Sequence, residues 1–361
     1  MKQNNWVSSP QASELLVKQL ATWPLAAQNY CALESVRSQS FDLGGCTVHT
    51  QFNPARALSS GAKVDARSLR ERKCFLCPEN LPVEQERLPF GLRYLVLCNP
   101  YPIFTEHFTI PSREHAPQRI LSRIDDFLEL TRRLDRFTLF YNGPRCGASA
   151  PDHAHFQAVT RGVMPLDREV VTTTSDTSPR SYAADHRIAM QQTTAKLCGT
   201  APLSYAVPCH KRYCDSLLAS SDDTPEARAK LHLLIGNLRP GFIIVASEKD
   251  EAANLFRHIY AALPVPEGED EPMMNLFGMY NEGRWLLTLI PRRRHRPWQY
   301  EAEGKDHLLS SPGAADIGGL FITPLEEDFE KITPALLTDV YQQVCLSDQE
   351  VEDIFVHLST K

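Results

Sequence analysis

The chain has 361 residues, a formal net charge of −6, 42% hydrophobic and 23% charged residues. That is enough apolar material for a sizeable core in one large domain or two ordinary ones. The acidic balance argues against a nucleic-acid partner held by broad phosphate attraction, and no apolar run nears the roughly 20 residues that span a bilayer, so no membrane contact is expected.

The start, "MKQNNWVSSPQASELL", lacks the continuous apolar stretch of a secretion signal, which points to a cytoplasmic protein. The ten cysteines then read as reduced thiols or metal ligands rather than disulfides. Residues 1–45 read as an N-terminal extension with a helix over "ASELLVKQLATW". A strand, "TVHTQFNP" (47–54), opens the next unit. "ARALSSGAKVDARSLRERK" follows with loop character, then a turn-rich knuckle, "CFLCPENLP". "YLVLCNPYP" and "EHFTIPS" read as paired strands joined at a proline-marked turn. In "QRILSRIDDFLELTRRLD" apolar residues fall at 120, 124, 127, 128 and 130, the spacing of an amphipathic helix. "RFTLFYNGP" is a further strand, and a glycine-rich loop leads to "HAHFQ" to close a unit over 46–165.

Residues 166–237 are polar, with "TTTSDTSPRS" and "ASSDDTPEAR" as surface loops, and read as a loop-rich connector. The stretch 238–361 then repeats the order of the first unit. "PGFIIVAS" reads as a strand and "DEAANLFRHIYAAL" as a helix. "MMNLFGMYNEGRWLLTLIPRRRHRP" reads as two strands turning at Asn281-Glu282-Gly283. "SPGAADIGGLFITP" is a glycine-rich turn or close-approach loop with a strand, and "LEEDFEKITPALLTDVYQQV" is helical. Order alone suggests this internal repeat, since residue identity between the halves is weak.

"GASAPDHAHFQAVTRG" (147–162) carries the chemistry. Side chains alternate faces along a strand, so His153, His155 and Gln157 project to one side and Ala154, Phe156 and Ala158 to the other. Neutral imidazole is a competent nucleophile near neutral pH, and its attack on phosphorus splits one hard displacement into two easier ones. The preceding "NGPRCGASAP" supplies glycines and the Ser149 hydroxyl, a loop whose backbone N–H groups can approach phosphate oxygens. Gln157 can donate to such an oxygen but cannot take up a proton as a histidine could. The plain alternative is a half-exposed strand whose histidines bond to neighbours.

Four segments together resemble the histidine-triad superfamily in its nucleotidylyltransferase branch, which includes galactose-1-phosphate uridylyltransferase, diadenosine tetraphosphate phosphorylase and the GDP-hexose phosphorylases. They are "DHAHFQ", "YNGPRCGASAPDHAHFQ", "CNPYPIFTEHFTIPSREH" and "FNPARALSSGAKVDARSLRERKCFLC". The resemblance covers about residues 50–162, is looser over 238–335, and finds no second H-x-H-x-Q. It implies an α+β fold of two tandem histidine-triad-like halves, each a mainly antiparallel sheet with helices packed on it, with only the first half catalytic. It further implies that His155 attacks the α-phosphorus and carries the nucleotidyl group while Gln157 holds that phosphate. Ser149 and Gly147 would bind the next phosphate, and Asn99 and Asn142 would face nucleotide or phosphate. Lys63 and Arg56, among small residues of the loop before Cys74, are the expected contacts to substrate phosphates. The implied donor is an NDP-sugar or a dinucleoside polyphosphate, and the implied acceptor phosphate or a sugar phosphate. A homodimer is compatible with it, and no organic cofactor is expected.

Cys74-x-x-Cys77 has half the spacing of a zinc knuckle. In uridylyltransferase relatives a C-x-x-C, the histidine of a "KRH"-type element and the first histidine of H-x-H share a zinc. Cys74, Cys77, His115 and His153 fill those positions here. The alternative is two buried thiols packing a turn. "CHKRYC" (Cys209, His210, Cys214) reads as a fortuitous loop group. The arginines of "PRRRHRP" (291–297) suit phosphate or, equally, a solvated strand end. Two rival functions stay open: a hydrolase on the same fold, which Gln157 counts against, and a non-catalytic nucleotide-binding protein, which the intact His155, Gln157 and Ser149 count against.

Overall fold

The structure, a computed structural model, describes residues 6–56, 65–174 and 229–359. Helices α1 (Ser9–Thr22) and α2 (Pro24–Ala32) come first, then a hairpin of β1 (Arg37–Asp42) and β2 (Thr47–Phe52), and a short α3 (Ala66–Glu71). The next unit runs β3 (Arg87–Phe90), β4 (Tyr94–Cys98), β5 (His107–Pro111), α4 (Ile124–Arg133), β6 (Phe137–Asn142), β7 (His155–Thr160) and α5 (Pro165–Thr174). The last comprises β8 (Lys230–Leu234), β9 (Gly241–Ala246), α6 (Lys249–Ala262), β10 (Met274–Asn281), β11 (Arg284–Pro291), α7 (Ala314–Ile317), β12 (Leu320–Thr323), α8 (Glu326–Glu330), α9 (Pro334–Val344) and α10 (Asp348–Ser359).

This is an α+β fold. Nine strands make one antiparallel sheet in the order β3-β4-β5-β7-β6-β10-β11-β9-β8, and β1, β2 and β12 make a second. Both halves of the large sheet use one connection pattern. Two strands and a helix are followed by two more strands, the last inserted between the second and third, giving β4-β5-β7-β6 and β8-β9-β11-β10. The halves meet where β6 pairs with β10, with Phe140 opposite Phe277. A local two-fold through that pair makes Thr288 the counterpart of Gln157, because each lies opposite one of those phenylalanines. Two residues back, Leu286 answers His155. The second half therefore carries an aliphatic and a hydroxyl side chain where the first carries an imidazole and an amide.

Alternation sorts the sheet's side chains into two layers. Phe108, Leu139, Phe156, Phe242 and Leu287 point to a face covered by α1, α4 and α6. On α4, Ile124, Phe127, Leu128 and Leu130 are buried while Asp125 and Asp126 sit in the first turn and Arg132 and Arg133 in the last, which also suits the helix dipole. The other face, with Phe140, Val159, Phe277 and Leu286, packs against Val48, Phe321, Ile317 and Val340 of the small sheet and its helices. The Asn281 signal produces the expected hairpin, with Glu282 at φ 51° and Gly283 at φ 80° as its turn.

Some elements differ from the reading of the sequence. The basic loop contains α3, because the Asp65 carboxylate caps it by accepting from the backbone N–H groups of Arg67 and Ser68. Strand β1, inside the N-terminal extension, pairs with β2. Helix α5, starting at Pro165, and strand β8 occupy the two ends of 166–237, the stretch read as a connector. Residues 175–228, with the Cys209–Cys214 group, lie outside the described residues. Among the described residues six cysteines carry free thiols, whereas Cys31 is disulfide-bonded and departs from the expectation of reduced thiols.

Candidate active site

Strand β7 lies between β5 and β6 and is fixed from both sides. On the helical side the Phe156 ring packs between Tyr94, Phe127 and Tyr141, with centroids 5.6, 5.3 and 6.3 Å away. At its start, buried Gln118 accepts from the His155 backbone N–H at 2.8 Å and donates to the carbonyls of His155 and Asn142 at 2.9 and 3.0 Å. One side chain thus ties the ends of β6 and β7 together.

His155 is 6% exposed. Its Nδ1 lies 2.8 Å from the His153 carbonyl oxygen, which can only accept, so the ring proton sits on Nδ1 and the Nε2 lone pair is free. Burial pushes its pKa down to about 4, so the ring is neutral at neutral pH. That tautomer and charge state are what nucleophilic attack through Nε2 requires.

Gln157 is backed by His107, which is fully buried. The Ile103 N–H donates to His107 Nδ1 at 3.3 Å, which leaves the ring proton on Nε2. Nε2–H then donates to Gln157 Oε1 at 2.8 Å. Burial and the nearby Arg56 charge push the His107 pKa down to about 3, so it stays neutral.

Gln157 opens into a cleft of about 570 Å³, open mouth included. Arg56, Asn142, Gly147 and Ser149 line it from the first half, and Ser310, Ser311, Gly313 and Asp316 from the loop before and within α7. Ile103, Phe140 and Ile322 give it an apolar floor. Gly147 and Gly313 let the two loops touch: a Cβ on Gly147, at φ +92°, would lie 2.3 Å from Gly313 Cα. Arg56 donates to the Tyr101 carbonyl at 3.0 Å. Burial lowers its pKa to about 10, which still leaves it cationic at neutral pH. Half-buried Asp316 accepts from the Gly313 and Ile322 N–H groups, and desolvation lifts its pKa to about 6.

Cys74, Cys77, His115 and His153 gather so that their donor atoms lie within 4.8 Å of one another. Cys74 Sγ is 3.2 Å from His153 Nδ1, Cys77 Sγ 3.6 Å from that atom and 3.3 Å from His115 Nδ1. A tetrahedral ion with bonds of about 2.0–2.3 Å needs donor separations of about 3.3–3.8 Å, so the group fits a metal ion. The second shell fits as well. His153 Nε2–H donates to the Ser112 carbonyl at 2.8 Å, which turns the Nδ1 lone pair toward the thiols. Ala150, from the Ser149 loop, packs against Cys74 and Cys77. His153 has two jobs: its ring belongs to the group that could hold a metal ion, and its carbonyl sets the tautomer of His155.

Of the residues singled out in the sequence, Gln157, Arg56, Asn142, Gly147 and Ser149 line this cleft, and Cys74, Cys77, His115 and His153 form the cysteine–histidine group. His155 itself is not among the cleft-lining residues. Asn99 lies outside that lining and spends its amide on its own turn, accepting from the Tyr101 N–H and donating to Thr109 Oγ1. Lys63 lies outside the described residues. Gln118, His107, Asn275 and the Ser310–Asp316 loop were not identified as site residues from sequence.

A family model described as "Domain of unknown function (DUF4922)" matches residues 15–160. No curated protein matches the chain. Among solved structures, the chain is similar to yeast Ap4A phosphorylase Apa2 in complex with AMP, at 16% identity over 92% of this chain and 97% of that one, with a TM-score of 0.49. For the same enzyme in complex with Ap4A the figures are 16%, 90%, 97% and 0.47. A DUF4931 family protein from Bacillus cereus is similar at 12% identity over 76% of this chain and 98% of that one, with a TM-score of 0.36.

Proposed function

We propose that the protein is a nucleotidylyltransferase or phosphorylase. Its donor is a dinucleoside polyphosphate or an NDP-sugar, and its acceptor is phosphate or a sugar phosphate. The observation that carries this reading is the state of His155: neutral, with Nδ1–H donated to a backbone carbonyl and Nε2 unprotonated, two residues from an amide that lines a polar cleft. Nε2 attacks the α-phosphorus; an N–P bond forms, and the bond from phosphorus to the bridging oxygen breaks. The leaving phosphate departs with the electron pair. Positive charge that develops on the ring is eased by the His153 carbonyl, which accepts from Nδ1–H throughout. An oxygen of the acceptor then attacks phosphorus, the N–P bond breaks, and the neutral ring returns. Arg56, Gln157, Asn142 and Ser149 serve the phosphate oxygens.

The ion we propose for the cysteine–histidine group is zinc, the usual occupant of two thiolates and two imidazoles at tetrahedral spacing. A site closed by four protein ligands supplies fixed geometry, here to the backbone of His153, and leaves no open position for substrate.

The test is a donor panel of NDP-sugars and dinucleoside polyphosphates, each with phosphate, with a hexose 1-phosphate and with neither. Phosphate-dependent release of a nucleoside diphosphate supports a phosphorylase. Release that proceeds equally in water alone would replace this reading with a hydrolase, and turnover of no donor would refute it.

A further inference from the structure

The cleft presents two primary amides, Gln157 and Asn142, and the groups behind each decide which end meets the ligand. Behind Gln157 the chain of donors starts at a backbone N–H, which cannot accept. Ile103 N–H occupies His107 Nδ1, His107 must therefore donate from Nε2, and Gln157 Oε1 must accept. The free end of Gln157 is its NH2. Behind Asn142 the starting donor is a guanidinium. Arg292, 4% exposed, donates from Nη1 to Asn275 Oδ1 at 2.6 Å and to the Pro312 carbonyl at 2.9 Å. Asn275 Nδ2 donates to Asn142 Oδ1 at 2.8 Å and to the Cys146 carbonyl at 2.9 Å. The Ala314 N–H donates to the same Asn142 oxygen at 2.7 Å. With its oxygen taken twice, Asn142 also has only NH2 to offer, and that nitrogen lies beside Gly313 on the cleft wall. Among the described residues neither NH2 group donates to a protein acceptor.

We propose that His107, and Arg292 acting through Asn275, are positioning residues that lock Gln157 and Asn142 with their NH2 groups toward the ligand. This wall of the cleft is then a donor-only surface. It suits an oxygen that can only take hydrogen bonds, such as a polyphosphate oxygen, and penalises an ammonium or other donor-only group placed there, because two donors would face each other. The assignment deepens the phosphate-handling reading above and rests on it for the ligand. It also gives the second half of the chain a task in the site. Arg292 belongs to the arginine run after β11, where it is buried and structural rather than exposed to substrate.

The probe is inorganic tripolyphosphate, with binding measured by calorimetry and folding followed by urea unfolding. The proteins are wild type, His107→Leu, His107→Gln, Gln157→Ala and the double variant His107→Leu/Gln157→Ala. His107→Leu is expected to weaken binding about 10-fold or more, the scale of one well-oriented hydrogen bond. His107→Gln, which keeps an N–H donor at similar reach, is expected to recover most of that. In the Gln157→Ala background, His107→Leu should change binding less than about twofold, because the residue it positions is gone. Losses that multiply across the two sites would overturn the assignment, as would His107→Gln binding as poorly as His107→Leu. Should His107→Leu not fold, the same cycle is read with Asn275→Asp and Asn142→Ala, with the same non-additive result expected. A wild type that binds no tripolyphosphate also overturns the donor wall. A wild type that binds it but turns over no donor overturns only the reaction.

Discussion

Gly147→Ala tests how tightly the two loops of the cleft are fitted. Gly147 holds φ +92°, and an added Cβ would sit 2.3 Å from Gly313 Cα and 2.8 Å from Gly313 N. Carbon atoms rest at about 3.5–4.0 Å, so the loops must part by roughly 1.2–1.7 Å. The left-handed backbone adds about 1–2 kcal/mol for a residue with a Cβ, and forced overpacking about 1–3 kcal/mol, giving about 2–5 kcal/mol of lost stability. A shift of about 1 Å in substrate-positioning groups costs on the order of 10²-fold in rate. Gly268→Ala is the control: its φ is +79°, but nothing lies within 4 Å of the added Cβ, so only the backbone term applies. Urea midpoints and donor turnover are measured for both. If Gly147→Ala lost no more stability than Gly268→Ala, or kept full turnover, the direct glycine-on-glycine contact would be refuted.

Phe156→Ala should cost about 3–5 kcal/mol in urea unfolding, since the ring fills the space between Tyr94, Phe127 and Tyr141; a loss under about 1 kcal/mol would contradict that packing. Glu271 accepts from the Ile120 N–H and from the Tyr141 hydroxyl, and burial pushes its pKa from 4.5 up to about 7. A carboxyl raised in the fold stabilises fully below its unfolded pKa and loses that contribution as pH rises through the folded pKa. Glu271→Gln should therefore gain on wild type by up to roughly 3 kcal/mol between pH 4.5 and pH 7.5; parallel stability–pH curves would sink this. Metal analysis of purified protein should find about one zinc per chain in wild type and far less in Cys74→Ser, whereas equal contents would rule out the four-ligand site.

Much of the fold was legible because it is local. The 3.6-residue spacing in α4, the Asn-Glu-Gly turn and the alternation of β7 each depend on a few neighbouring residues, and each appears in the structure. The cysteine–histidine quartet was legible only through the resemblance, since Cys74, Cys77, His115 and His153 are separated by up to 79 residues. What stayed hidden depends on strand pairing. His107 and Gln157 are 50 residues apart, and nothing in "EHFTIPS" says that β5 will lie beside β7. Asn275 sits in a strand that reads as hydrophobic core and Arg292 in the arginine run just after one, and their roles exist only once β6 meets β10. Asn99 shows the reverse: a motif position that fits the resemblance but closes its own turn.

The proposed covalent step at His155 can be trapped directly. Protein incubated with a reactive donor and no acceptor, then digested under alkaline conditions that preserve phosphoramidates, can be examined by mass spectrometry for a nucleotidyl adduct. The expected result is one adduct on the peptide containing His155, removed by added phosphate and absent in His155→Asn. An adduct on another residue, or undiminished phosphate-dependent turnover by His155→Asn, would contradict it.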